Sequence, residues 1–304
     1  VNVAPRDLST ALVPRKGVFV LGALLPVLAG VVGCGAGTPL MHPAHVLEAG
    51  QVRVAAGASH YVALGDAEVS IDESRTLGDE PNAIPDDERE AFVKGATAEA
   101  IGTPGLAAFA SARAGLGNQN EMGLTYSGRR VRGDLRHAFL LDDLALSVGG
   151  GIGGILPNIS SSSPRTGSGA PNEPDGEEIG RFDGGSVSGW TIDVPILLGA
   201  RTRPDVVSGW VGGHVLYERF NADFVFDFDS DEPLTAAPAD GSRFFAGAVA
   251  GMSVGMKPLR IVLEVSGGYQ SLDADVRTDT VTFGPHVAGL VIVPSFALSV
   301  DVGQ

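Results

Sequence analysis

From residue 50 onward, apolar and polar positions alternate with period two in ten successive stretches, the pattern of strands with two unlike faces. The stretches lie at 50–64, 106–117, 121–127, 130–141, 144–156, 186–201, 206–226, 243–256, 259–271 and 284–302. Several exceed the ~5–6 residues of an average strand and suit the ~9–11 residues of a strand that crosses a bilayer. Tight turns at Asn118-Gln119-Asn120, Asp142-Asp143, Arg203-Pro204 and Lys257-Pro258 alternate with the long segments 65–105, 157–185, 227–242 and 272–283. Ser127-Gly128-Arg129 is the one short connection on the long-loop side. Short turns at one rim and long loops at the other predict an all-β fold, an antiparallel up-and-down transmembrane β-barrel. The strand count is about ten; Pro285 and Pro294, which cannot donate to a ladder, leave eight or twelve open.

Hairpin register sorts the side chains. Pairing about Asp142-Asp143 sets Arg132, Asp134 and Arg136 opposite Gly153, Gly151 and Gly149, and leaves Val131, Leu135 and Phe139 on the other face. Pairing about Lys257-Pro258 sets Glu264 opposite Gly251. About Arg203-Pro204 the expectation is Asp193 opposite His214 and Trp190 opposite Tyr217; about Gln119 it is Arg113 opposite Thr125. A soluble barrel buries the apolar face, a membrane barrel the polar one. Glycines opposite arginines favour the second, since a narrow lumen needs that room. The expected lumen set is Arg113, Glu121, Arg130, Arg132, Asp134, Arg136, Asp193, His214, Glu218 and Glu264. Tyr126, Phe139, Trp190 and Tyr217 are the candidate aromatics of the membrane interface.

The N-terminus carries a different signal. Arg6, Arg15 and Lys16 precede an apolar run from Gly17 to Gly33, and Cys34, the only cysteine, follows Val31-Val32-Gly33. This resembles a bacterial lipoprotein signal with its lipobox. The resemblance implies removal of residues 1–33, acyl chains on Cys34, and a lipidated tether over 34–49 leading into the barrel domain, 50–304. Gly35 rather than Asp follows Cys34, which by the same resemblance implies the outer membrane. The whole is similar to Gram-negative outer-membrane barrel proteins, with a periplasmic N-terminus, extracellular long loops, and membrane lipid as the expected partner. No particular family of known substrate is matched.

Charge narrows the partners. The chain of 304 residues has net charge −15. Residues 34–304 keep 18 basic and 35 acidic residues, a net −17. Nothing there forms a basic patch for nucleic acid. The acidity concentrates in 66–99, 173–183 and 227–240. A protein partner is left open, and no cofactor is expected.

Candidate chemistry is sparse. Asp193 with His214 has the physics of an oriented general base, yet no serine is placed as its nucleophile; Ser208 falls near the other rim. Catalysis is therefore not the expected role. Asp227, Asp229 and Asp231 begin like a calcium loop, but Glu232 and Pro238 stand where that loop needs Gly and Glu. His42 and His45 are three apart without carboxylate company and belong to a solvated tether, so no metal site is expected. Pro85 to Ile101, with acidic Asp86-Asp87-Glu88 at its start and Phe92, Ala96 and Ala100 on one face, suits a short helix; capping the outer mouth, folding into it as a plug, and a solvated excursion are the open alternatives. Segment 157–185, rich in Ser, Gly and Pro, is expected to be disordered. The functional expectation is a structural or small-solute role. The alternatives are a lipid-anchored, lipocalin-like soluble barrel with an apolar ligand, and an outer-membrane hydrolase.

Overall fold

The computed structural model describes residues 39–79, 83–156, 182–202, 206–229 and 233–303. The signal-like run, Cys34, most of the 157–185 loop, the Arg203-Pro204 turn, and Asp231 with Glu232 lie outside the described residues. The elements run β1 (Val52–Leu64), α1 (Asp66–Gly78), α2 (Arg89–Gly102), β2 (Gly105–Gly117), β3 (Asn120–Ser127), β4 (Arg130–Leu141) and β5 (Leu144–Ile155). Then come β6 (Phe182–Arg201), β7 (Val207–Phe226), β8 (Thr235–Met256), β9 (Leu259–Arg277), the two-residue β10 (Thr282–Phe283) and β11 (His286–Val302).

Every pairing is antiparallel, and β1 joins β11 to close the ring. Ten strands form the wall; β10 only extends the sheet from β9. Pro294 lies within β11, and the β1 ladder is interrupted there: Ser59 pairs Ser295 and Val62 pairs Ile292, with nothing between. The wall survives because the β9 side of β11 stays in register through Pro294↔Val265.

Two solvents shape the wall. On β9 the outward residues run Leu259, Ile261, Leu263, Val265 and Tyr269, then change to Asp273, Asp275 and Arg277. On β7, outward Val211, Val215 and Tyr217 give way to Arg219, Asn221 and Asp223. The switch falls at an aromatic level, where Trp190 meets Tyr217 at 5.7 Å and Tyr217 pairs with Phe244. The ten steps from Leu259 to Tyr269, at ~3.3 Å each and tilted ~40°, span about 25 Å, the height of a bilayer-facing band. The inner face inverts at the same level. Below it stand Arg136, Glu121, His214 and Glu264; above it, Phe220, Phe224, Phe226, Leu272 and Val276 are buried. Below the aromatics the barrel is apolar outside, and its lumen sets buried charges beside an apolar cluster of Phe109, Leu197, Trp210, Val249 and Val262. Above them it is built like a water-soluble protein. A lipocalin-like barrel turns its polar face to water, whereas the lower half turns Leu259, Ile261, Leu263 and Val265 outward and buries Arg113, Glu121 and Arg136.

The strands overrun their expected ends. β6, β7, β8 and β9 are 20, 20, 22 and 19 residues long, so much of the expected loops 227–242 and 272–283 is strand. The wall is low at β3, only 8 residues, and α1 and α2 stand over the long-loop end. α2 begins four residues after the expected start, at Arg89, and puts Phe92, Val93, Ala96 and Ile101 into the phenylalanine-rich core of the tall strands. Phe92 meets Phe226 at 6.1 Å and Phe228 at 6.2 Å, both edge-on. Arg129 donates to the Ile101 carbonyl at 2.9 Å, tying the β3–β4 tip to the end of α2.

Candidate functional site

The lower lumen is filled by an ion-pair network. Arg113 bridges Glu121 and Asp134. Arg132 continues from Asp134 at 2.7 Å to Asp193 at 2.6 Å, and Asp193 meets His214 Nε2 at 3.3 Å. Arg136 joins the other end at Glu121, 2.7 Å. Nearer the outer end, Arg130 and Arg243 share Glu218 at 2.7 and 3.3 Å. Buried charges at this density are tolerated because Glu121, Asp134 and Glu218 are each shared between two guanidiniums and Asp193 between Arg132 and His214. Room comes from the facing strand: a Cβ on Gly151 would collide with the Asp193 carboxylate and the Arg132 guanidinium.

All ten expected lumen residues point inward, from β2, β3, β4, β6, β7 and β9. The pairing beneath two of the contacts differs from expectation. Across β6–β7 the register is shifted by two: Asp193 pairs Leu216, Pro195 pairs His214, and Trp190 pairs Arg219. A two-residue shift keeps the faces, so Asp193 still reaches His214, and Trp190 still meets Tyr217, on a diagonal. Across β2–β3 the turn, with Gly117 opposite Asn120, and a bulge between Gly115 and Gly117 each move the register by one, and together they set Arg113 opposite Gly123 rather than Thr125. Ser208 bonds Ser253 at 2.8 Å near the short-turn rim, six residues down β7 from His214. Tyr126, Phe139 and Trp190 are on the outer surface, and Tyr217 is half-buried beside Trp190.

Some lumen charges escaped the sequence reading. Arg53 and Asp301 face each other at 2.6 Å with Arg260 at 3.5 Å from Asp301, forming a rim cluster. The signal was present: Arg53 opens the first stretch and Asp301 closes the last, and these meet only when the ring closes. Arg243, at the very start of its stretch, was lost for the same reason of position.

The largest correction concerns residues 39–49, which are not a solvated tether. They thread from the short-turn rim into the lumen, and Leu40, Met41, His42, Ala44, His45 and Leu47 are buried. Glu264 accepts from the amides of Leu40 at 2.7 Å and Met41 at 2.8 Å. Glu121 accepts from the Leu47 amide at 2.8 Å. Arg136 donates to the carbonyls of Pro43 and His45, and its Nη1 lies 2.9 Å from His42 Nδ1. Guanidinium is always a donor, so Nδ1 accepts and the neutral ring carries its proton on Nε2. Leu40, Met41 and Ala44 pack with Phe109, Leu197, Trp210, Val249 and Val262. Polarity alone could not reveal this: a Pro- and His-bearing linker looks the same in water and in a charged lumen.

Beside the seated segment and the helices, the described residues line small cavities: about 40 Å³ beside Arg53 and Lys257, about 20 Å³ beside Asp193 and His214, and about 10 Å³ beneath the helices. Among the described residues no group of three or more His, Cys, Asp or Glu is placed to hold a metal ion. No family model and no curated protein sequence matches the chain. Solved structures do match. Neisserial surface protein A is 11% identical with TM-score 0.28, covering 82% of this chain and 95% of its own. The CymD monoaromatic hydrocarbon channel is 11% identical with TM-score 0.27, covering 91% and 96%. The outer membrane protease OmpT of Escherichia coli is 7% identical with TM-score 0.25, covering 83% and 96%. Similarity at this level assigns neither activity nor ligand.

Proposed function

We propose that this chain is a sealed outer-membrane barrel lipoprotein with a structural, surface-presenting role. The observation that carries the reading is the double closure of the lumen. Residues 39–49 and the ion network fill its inner half, and α2 with the phenylalanine core fills its outer end. Solute passage would require both closures to yield. In a planar bilayer the purified full chain should show no steady conductance. A stable ohmic channel would replace this reading with a small-solute pathway. The seated segment lies over Asp193 and His214, which supports a non-enzymatic reading: D193A and H214A should change the stability of the barrel and no hydrolytic activity of the cells that carry it.

The polarity of the wall supports one orientation within this reading. The tall strands with acidic outward residues face the exterior, and the short-turn rim with the N-terminal segment faces the periplasm. Protease added to intact cells should cut the α1–α2 region and spare the short turns. Lipidation at Cys34 rests on the lipobox and is read by the mass of the N-terminal peptide. Four residues separate Cys34 from Pro39, five steps with a reach of at most about 18 Å. An acyl chain in the bilayer and a seated segment therefore draw on the same short tether.

A further inference from the structure

The wall grips residues 39–49 chiefly by main chain. Three wall side chains, Glu264, Glu121 and Arg136, serve three amides and two carbonyls of the segment. Contacts of this kind recognise an extended polypeptide by its backbone, with side-chain pockets adding specificity. Here the pocket takes Leu40, Met41 and Ala44. The wall is carved to match: a Cβ on Gly115 would strike the Glu48 and Leu47 carbonyls.

The wall's own pairs close without the segment. Arg136 and Arg113 keep Glu121, and Arg132 keeps Asp134 and Asp193. Glu264 differs. Its donors are the Leu40 and Met41 amides and Trp210 Nε1 at 3.2 Å, so two of the three belong to the segment. The segment leaves the lumen at Glu48, Ala49 and Gly50, an exposed turn held to β2 by Gly50 N donating to the Gly115 carbonyl at 3.1 Å.

We propose that the inner lumen is a polypeptide-binding cleft with Glu264 as its amide receptor, occupied in cis by residues 39–49 as an exchangeable ligand. Withdrawal would open a blind-ended cleft toward the short-turn rim, closed above by α2. The inference goes beyond the sealed-barrel reading and survives its failure, because exchange is read by binding and not by conductance.

The test places a protease site in the Glu48–Gly50 turn of the full chain, which is folded, cut and offered a labelled synthetic peptide of residues 39–49. Exchange with saturable one-to-one binding is expected. Glu264→Ala, and separately a peptide N-methylated at Leu40 and Met41, should each weaken binding at least tenfold. A cut segment that never exchanges, an N-methylated peptide that binds equally well, or a barrel that collapses after the cut would overturn the proposal. Where the inserted site blocks folding, A44C with G199C in a Cys34→Ala chain replaces it: a Gly199 Cβ would lie 2.9 Å from that of Ala44, so the segment has to back off by under ~1 Å to reach disulfide spacing. The reduced chain should take up labelled peptide and the cross-linked chain should not; equal uptake, or none in either, overturns it.

Discussion

His42 shows what a single side chain does in this lumen. Burial first, then the guanidiniums of Arg136, Arg113 and Arg132, hold its pKa well below 6.5, and only the Pro43 backbone contact opposes them. The facing carboxylate, Glu121, is committed to Arg113 and Arg136. Released into water, the imidazole titrates near its ordinary ~6.5. The seated state therefore binds fewer protons, is at full strength above about pH 6.5, and weakens as pH falls below it. Amide exchange at Leu40 and Met41, corrected for intrinsic rates, should accelerate between pH 7.5 and 5.5, and His42→Gln should flatten that dependence. Pair identity at this scale was partly legible. The charged residues were visible as an inward set, but the β6–β7 register was two residues away. Faces repeat every two residues, so a shift of two leaves no trace in the alternation.

Elements were legible where one solvent acted on the whole strand. The β4–β5 hairpin has the register its alternation predicts, Arg132 to Gly153 through Phe139 to Leu146. The upper parts of β8 and β9 looked like acidic loops because their outward residues, among them Asp273 and Asp275, are as polar as a loop. α1 escaped for another reason. Its buried face is Ala67, Ser70, Ile71, Ser74, Leu77 and Gly78, in which only Ile71 and Leu77 are large and apolar, too few to make a stripe. α2 was visible because Phe92 anchors it. Phe92→Ala removes a fully buried ring and should cost about 3–5 kcal/mol in the outer core. Limited proteolysis should then cut near α2 at lower protease concentration, while the membrane-facing hairpins stay protected.

For the whole molecule, the inversion of polarity at the Trp190–Tyr217–Phe244 level is the feature that organises everything else. It divides one continuous sheet between bilayer and water, and it makes opposite demands on outward positions of the same strand. Leu263→Arg lies within the apolar band and should destabilise by about 2–4 kcal/mol. Ser271→Arg, two positions above Tyr269 on the same face, should be near neutral. Denaturant titration of the barrel refolded in vesicles compares the two; equal costs would mean that no bilayer boundary lies between them.

The most direct test removes the acyl anchor and leaves the wall. A Cys34→Ala chain carrying a cleavable, non-lipoprotein signal is expressed, its membranes are washed with alkaline carbonate, and the pellet is run boiled and unboiled on a gel. The chain should stay in the membrane and show a boiling-dependent mobility shift. Release of a folded chain into the soluble fraction would contradict a membrane-spanning barrel and leave the lipid as its only hold on the membrane.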